Sequence, residues 1–194
     1  MDALLGKIRA CTLCSERFGK TETGHSPRPV LRVSPTAKIL VAGQAPGMKV
    51  HLSGKPFTDP SGDRLRAWMG VDEDTFYDSS KIGILPMGFC FPGYRNGSDL
   101  PPPAICAKTW RLDVLAAMPD IKLTLLIGGH AQKWHLPDAQ GVNATVERWR
   151  DFLPATIPLP HPSWRNTAWL KRNLWFEAEV LPVLRSRIQE VLDD

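Results

Sequence analysis

Four short apolar runs punctuate the chain: Lys38–Gly43 (KILVAG), Lys81–Leu85 (KIGIL), Leu123–Gly128 (LTLLIG) and Thr156–Leu159 (TIPL). Each is too short for a buried helix and rich in branched aliphatic side chains, which predicts strands buried on both faces. Between the runs, apolar positions recur at helical spacing in Ser61–Met69, Pro102–Met118, His130–Trp134, Asn143–Asp151 and Trp175–Leu192. Leu4, Leu5 and Ile8 add a short amphipathic helix leading into Cys11, whereas the glycines and prolines of residues 19–36 predict an irregular basic loop. Strands alternating with helices predict an α/β protein whose parallel sheet is covered on both sides, with sites gathered at the carboxyl ends of the strands. No repeat, low-complexity tract or linker divides the chain, so one domain over residues 1–194 is expected.

Composition narrows this little. The chain has 43% hydrophobic and 23% charged residues, which excludes wholly disordered, collagenous and coiled-coil classes. No apolar run approaches the ~20 residues that span a bilayer. Asp2, Lys7 and Arg9 interrupt any secretory signal, so the expectation is a cytoplasmic monomer without a membrane partner. The net charge of +4 and pI near 9.0 lean toward polyanions. Basic residues concentrate in Lys20–Arg32 and Trp164–Arg172, as phosphate-tracking patches or as solvated surface.

The cysteines carry more information. Cys11 and Cys14 form a C-x2-C pair, 75 residues separate Cys14 from Cys90, and 15 separate Cys90 from Cys106. In a reducing compartment four thiols with one tight pair suggest thiolate ligands to a single centre, for which zinc and a [4Fe-4S] cluster are both open on spacing alone. Four unrelated cysteines are the plainer alternative.

The turn GQAPG (Gly43–Gly47) follows the first strand but lacks the glycine spacing or Lys of a phosphate loop, and Pro46 offers no N–H. It is followed by Gly54-Lys55-Pro56-Phe57, then FTDPSGD (Phe57–Asp63), Cys90-Phe91-Pro92-Gly93, Cys106, and finally HPSWRN (His161–Asn166). This order of motifs resembles the uracil-DNA glycosylase superfamily. Its iron-sulfur (family 4 type) members are the most similar, and FTDPSGD also resembles a segment of the broad-specificity family 5 type. The resemblance covers nearly the whole chain. It implies a three-layer α/β/α fold with a four-stranded parallel sheet, a [4Fe-4S] cluster on Cys11, Cys14, Cys90 and Cys106 in preference to zinc, and excision of a damaged or deaminated base from DNA.

Cleaving an N-glycosidic bond builds positive charge on the sugar and negative charge on the leaving base, so such a site needs a hydrogen-bond donor for the base and a held water. The resemblance assigns His161 as the donor to a base carbonyl and Phe57 as the stacking face for the flipped base. Gln44 and the backbone around Ala45 are expected to contact the base or the water. Ala45 stands where water-activating relatives carry Asp, and Asp59 is the candidate replacement, on an alignment that needs a one-residue gap. Asp63 is expected to cap or acidify the start of the helix from Arg64. Pro86 stands where uracil-reading relatives carry Asn, which leaves the choice of base open. Ser163, Trp164 and Arg165 are expected to meet the DNA backbone or fill the gap left by the base, with Lys49, His51, Lys171 and Arg172 as further phosphate contacts.

Two functions therefore compete: a monofunctional glycosylase, favoured by Asp59 and HPSWRN, and an iron-sulfur protein that binds damaged or single-stranded DNA with little catalysis, favoured by Ala45 and Pro86. A zinc-stabilised domain acting on nucleotides or RNA has no particular support.

Overall fold

The computed structural model describes all 194 residues. Six strands occur in chain order: β1 Ile39–Ala42, β2 Ile82–Ile84, β3 Tyr94–Arg95, β4 Ser98–Asp99, β5 Leu123–Ile127 and β6 Thr156–Leu159. Four of them form a parallel sheet in the order β2-β1-β5-β6, and β3 pairs with β4 as a separate antiparallel hairpin. The four sheet strands are the four apolar runs read from the sequence: Thr156–Leu159 is reproduced unchanged, Leu123–Gly128 loses its last residue, and the other two lose one residue at each end.

Successive side chains leave a strand on opposite faces, and the burial follows that rule. Ile39, Val41, Ile82, Ile84, Leu125 and Ile157 enter the larger core with Leu65, Trp68, Trp149, Phe176 and Ile188. Leu40 and Leu85 face the other way, against Ile8, Phe89, Val114 and Met118. Helices thus cover both faces, giving the expected three layers. Pro158 sits in β6, the outer strand beside β5, where a missing N–H costs no ladder bond on the open side.

Several helix boundaries differ from expectation for local reasons. The first predicted helix after β1 starts at Pro60 rather than Ser61, with Pro at the first position where an N–H has no acceptor anyway. The helix expected from Pro102 starts at Ala104 after three prolines, and its middle, Ala107–Arg111, is a π-helical turn. The C-terminal helix runs as a π turn over Phe176–Val180 and then α over Leu181–Asp193, with the interruption at Pro182, which has no N–H to donate. Asn143–Asp151 resolves into Val142–Glu147 and a 3-10 turn over Trp149–Phe152. No helix is long and apolar enough to cross a membrane.

β1 lies between β2 and β5, so the chain leaves its carboxyl end to one side and returns to the other. That reversal opens a crevice at the strand ends, where ligands of such sheets bind.

Candidate functional site

The GQAPG turn leaves β1 into this crevice and is held from the β2 side. Met87 N–H donates to the Gly43 carbonyl at 2.8 Å and Gly88 N–H to the Gln44 carbonyl at 2.9 Å. Beneath the turn sits Phe57, whose ring would come within 3.5 Å of a Cβ at position 43. Phe57 has φ +55°, a conformation unfavourable for a bulky side chain. Its carbonyl accepts from Tyr77 Oη (3.1 Å) and Arg66 Nη1 (3.3 Å), and its ring meets Phe76 edge-on at 5.9 Å. These contacts hold the strained backbone in place.

The turn and Phe57 are two walls of a cleft of about 490 Å³, which also gathers Gln44, Ala45, Asp59, Pro86, Asp99 and His161. A volume of this order accommodates a small ligand. Ser163, Trp164 and Arg165 stand at the same cleft, and Trp164 is 77% exposed. The sequence-predicted pocket residues, scattered from position 44 to 165, therefore converge.

Burial lowers the pKa of His161, partly opposed by the nearby carboxylates of Asp59 and Asp99 and helped by Arg165. The result is a neutral imidazole at neutral pH, able to donate one hydrogen bond without surrendering a proton. The loop carrying it is tied down twice: Asn166 Nδ2 donates to the His161 carbonyl at 2.7 Å, and Arg64 Nη1 donates to the Ser163 carbonyl at 3.0 Å.

Asp59 occupies the N-cap position of the Pro60–Met69 helix, yet its carboxylate caps no helical N–H and accepts only from Ser61 Oγ, at 2.7 Å. It keeps free acceptor capacity inside the cleft. Asp63 lies in the first helical turn as an acid, pairs with Arg66 and does not line the cleft; the cap position belongs to Asp59.

Lys49, Lys171 and Arg172 are exposed but line no part of the cleft. His51 is a correction: it turns inward onto His25 and Phe91, with ring centroids at 5.0 and 5.9 Å, and its Nδ1 is buried without a partner. That environment lowers its pKa through burial and suits no phosphate contact. Asp99 and Leu100 belong to the cleft and went unread in the sequence. They follow a two-residue Asn96-Gly97 turn in which both residues have positive φ, and the Asn-Gly pair is the signal that could have found the hairpin.

A profile of the Uracil DNA glycosylase superfamily matches residues 32–185. The chain belongs to the uracil DNA glycosylase superfamily. A solved structure similar to it is the solution NMR structure of a Methanosarcina acetivorans protein named provisionally as a uracil DNA glycosylase, at 16% identity and a TM-score of 0.48, over 81% of this chain and 94% of that one. The superfamily match spans the sheet, all of the cleft but Val30, and Cys90 and Cys106, and leaves Cys11 and Cys14 outside it.

In this superfamily member the four cysteines are all free and share the walls of one second cavity, with Ile8, Phe18, Phe89 and Trp110 around them. No group of His, Cys, Asp or Glu converges closely enough to hold a single metal ion. Burial pushes the Cys90 thiol up to about 12 and the Cys106 thiol up to about 11, and the thiols raise one another further. A backbone N–H opposes this at Cys106, where that of Phe89 donates to Sγ at 3.3 Å. Four soft donors in an apolar cavity, one of them accepting an N–H bond, suit a thiolate-bound metal centre.

Proposed function

We propose that the chain is a monofunctional DNA N-glycosylase that takes a deaminated base, flipped from DNA, into the cleft and hydrolyses its N-glycosidic bond. Superfamily membership supports DNA glycosylase activity in general. The observation that carries the specific reading is the meeting of a neutral His161, a carboxylate with spare acceptor capacity at Asp59 and the Phe57 ring in one cleft. No lysine lines that cleft, which speaks for hydrolysis rather than a covalent amine intermediate.

In this reading the flipped base stacks on Phe57 under the GQAPG turn, and His161 donates to a base carbonyl as charge develops there. Asp59 holds the attacking water, and Asp99 adds negative charge on the side where the sugar becomes cationic. Gln44 contacts the base edge. Trp164 fills the space left by the base, Ser163 and Arg165 meet the backbone, and Lys49, Lys171 and Arg172 extend the basic track. Pro86 offers no side-chain donor or acceptor, so uracil loses the paired readout that rejects other bases. The substrate range then extends to hypoxanthine and xanthine, whose rings present a similar carbonyl and N–H edge.

Cys11, Cys14, Cys90 and Cys106 would hold a [4Fe-4S] cluster; zinc, the alternative left open by the sequence, needs a closer convergence on one ion than these cysteines show. Such a centre supplies a compact, negatively charged cross-link between the N-terminal segment and the sheet. Ala45 and Pro86 support a second reading, binding of damaged DNA with little turnover. Incubating single-lesion oligonucleotides with the protein and cleaving the abasic products with alkali separates the two.

A further inference from the structure

Arg111 is fully buried and forms no ion pair, an arrangement that costs several kcal/mol unless something compensates the charge. Its guanidinium is partly satisfied by neutral acceptors, while Nε is buried without a partner. Nη1 donates to the carbonyls of Leu85 (3.2 Å) and Pro86 (3.0 Å), and Nη2 donates to His135 Nε2 at 2.8 Å. His135 is neutral, because burial and the adjacent guanidinium lower its pKa to about 4. Hydrogen-bond acceptors are thus present, but no anion is. Burial brings Arg111 down only to about 10, so it keeps its charge at neutral pH, and Cys106, at the start of the same π turn, would favour that charge further as a thiolate.

The backbone explains why Arg111 sits there. Cys106 immediately precedes the π turn Ala107–Arg111. A π turn closes i→i+5 bonds and brings residues five apart toward one face. In α geometry the same two residues would stand about 140° apart around the axis.

The segment Leu85–Cys90 runs between this group and both sites. Arg111 holds the carbonyls of Leu85 and Pro86, the GQAPG turn accepts from the N–H groups of Met87 and Gly88, the Phe89 N–H donates to Cys106 Sγ, and Cys90 is itself one of the four thiols. Three successive pairs of residues are therefore fixed in turn by Arg111, by the GQAPG turn of the cleft and by the cysteine cavity.

We propose that Arg111 is a positioning residue shared by the two sites: its guanidinium is the internal counter-charge of the four-cysteine centre and the fork that sets the Leu85–Gly88 wall of the cleft. The counter-charge half rests on the metal-centre reading above. A positive charge near a cluster favours its reduced form, which carries one more negative charge, so Arg111 holds the reduction potential up.

The test compares the parent, Arg111→Gln and Arg111→Lys after anaerobic reconstitution with iron and sulfide. Iron and sulfide content, reduction potential and deuterium exchange at Met87 and Gly88 are measured on each. Arg111→Gln is expected to shift the potential to more negative values and to speed exchange at both amides. Arg111→Lys keeps the charge and loses the fork, so it is expected to hold the parental potential while exchange still accelerates. An iron-loaded Arg111→Gln with the parental potential overturns the proposal while leaving the metal-centre reading intact. A parent that takes up no iron and sulfide overturns both. Should Arg111→Gln fail to fold, Arg111→Lys decides alone: a parental potential with faster exchange supports the proposal, and a displaced potential or unchanged exchange refutes it.

Discussion

The carbonyl oxygen of Phe57 lies 1.9 Å from the point where a Cβ on Gly62 would stand. The glycine of the PSGD segment is thus a spacer that lets the first turn of the Pro60–Met69 helix close over the strained Phe57 backbone. Gly62→Ala must push Phe57 away from the GQAPG turn. Overpacking of this kind costs about 1–3 kcal/mol. A lowered melting temperature together with slower excision is expected, and parental stability would show that the helix start yields without disturbing Phe57.

Asp59→Asn retains the volume and the Ser61 contact but removes the charge. If Asp59 holds the water, single-turnover cleavage should fall by about 10²-fold or more with the fold unchanged by circular dichroism. Parental activity in Asp59→Asn beside an inactive Gln44→Ala would instead assign the water to the turn after β1.

His161 gives the reaction a predictable pH limb. Burial lowers its pKa, and the Asp59 and Asp99 carboxylates partly restore it. The neutral form is the working donor, so activity is present above the His161 pKa and lost as pH falls through it. Asp99→Asn removes one of the two anions that favour the protonated form, so the acid limb of kcat should move to lower pH. A move to higher pH, or none, would place Asp99 away from the imidazole's field.

The sheet was legible because its four strands are apolar, short and flanked by turn residues, and each apolar run corresponds to one strand. The cleft was legible where motifs carried it: Gln44, Phe57, Asp59, Pro86 and His161 all line it. Asp99 was not, since β3 and β4 have two residues each and show no alternation, and only the Asn96-Gly97 turn betrayed them. Asn166 was quoted within HPSWRN, but its anchoring of the His161 carbonyl is a contact that no spacing encodes. Arg111 was hidden more deeply: a basic residue in an amphipathic helix reads as surface, as its neighbour Lys108 is, and here the residue ends a π turn and is internal. His51 failed in the opposite sense, as a polar residue in a basic neighbourhood that packs into an aromatic cluster.

Acid stability follows from the Arg111–His135 pair. In the fold His135 titrates at about 4, whereas unfolding returns it toward 6.5. Between those values the unfolded chain binds a proton that the folded chain does not, so stability present above pH 6.5 declines as pH falls toward 4. His135→Gln keeps an acceptor for Arg111 and removes the titration. Urea denaturation from pH 7 to pH 4 should therefore show a flatter decline for the variant, and parallel curves would contradict the pairing.

The proposed function stands on one event, cleavage of an N-glycosidic bond in the cleft through His161. Its most direct test is single-turnover cleavage of oligonucleotides bearing one uracil, hypoxanthine or xanthine, comparing the parent with His161→Ala at matched DNA affinity. The parent should yield abasic product with more than one of these bases, and His161→Ala should lose on the order of 10²- to 10³-fold, the scale of one missing oxyanion donor. A folded, reconstituted parent that leaves all three bases attached, or a His161→Ala protein that cleaves at the parental rate, would contradict it.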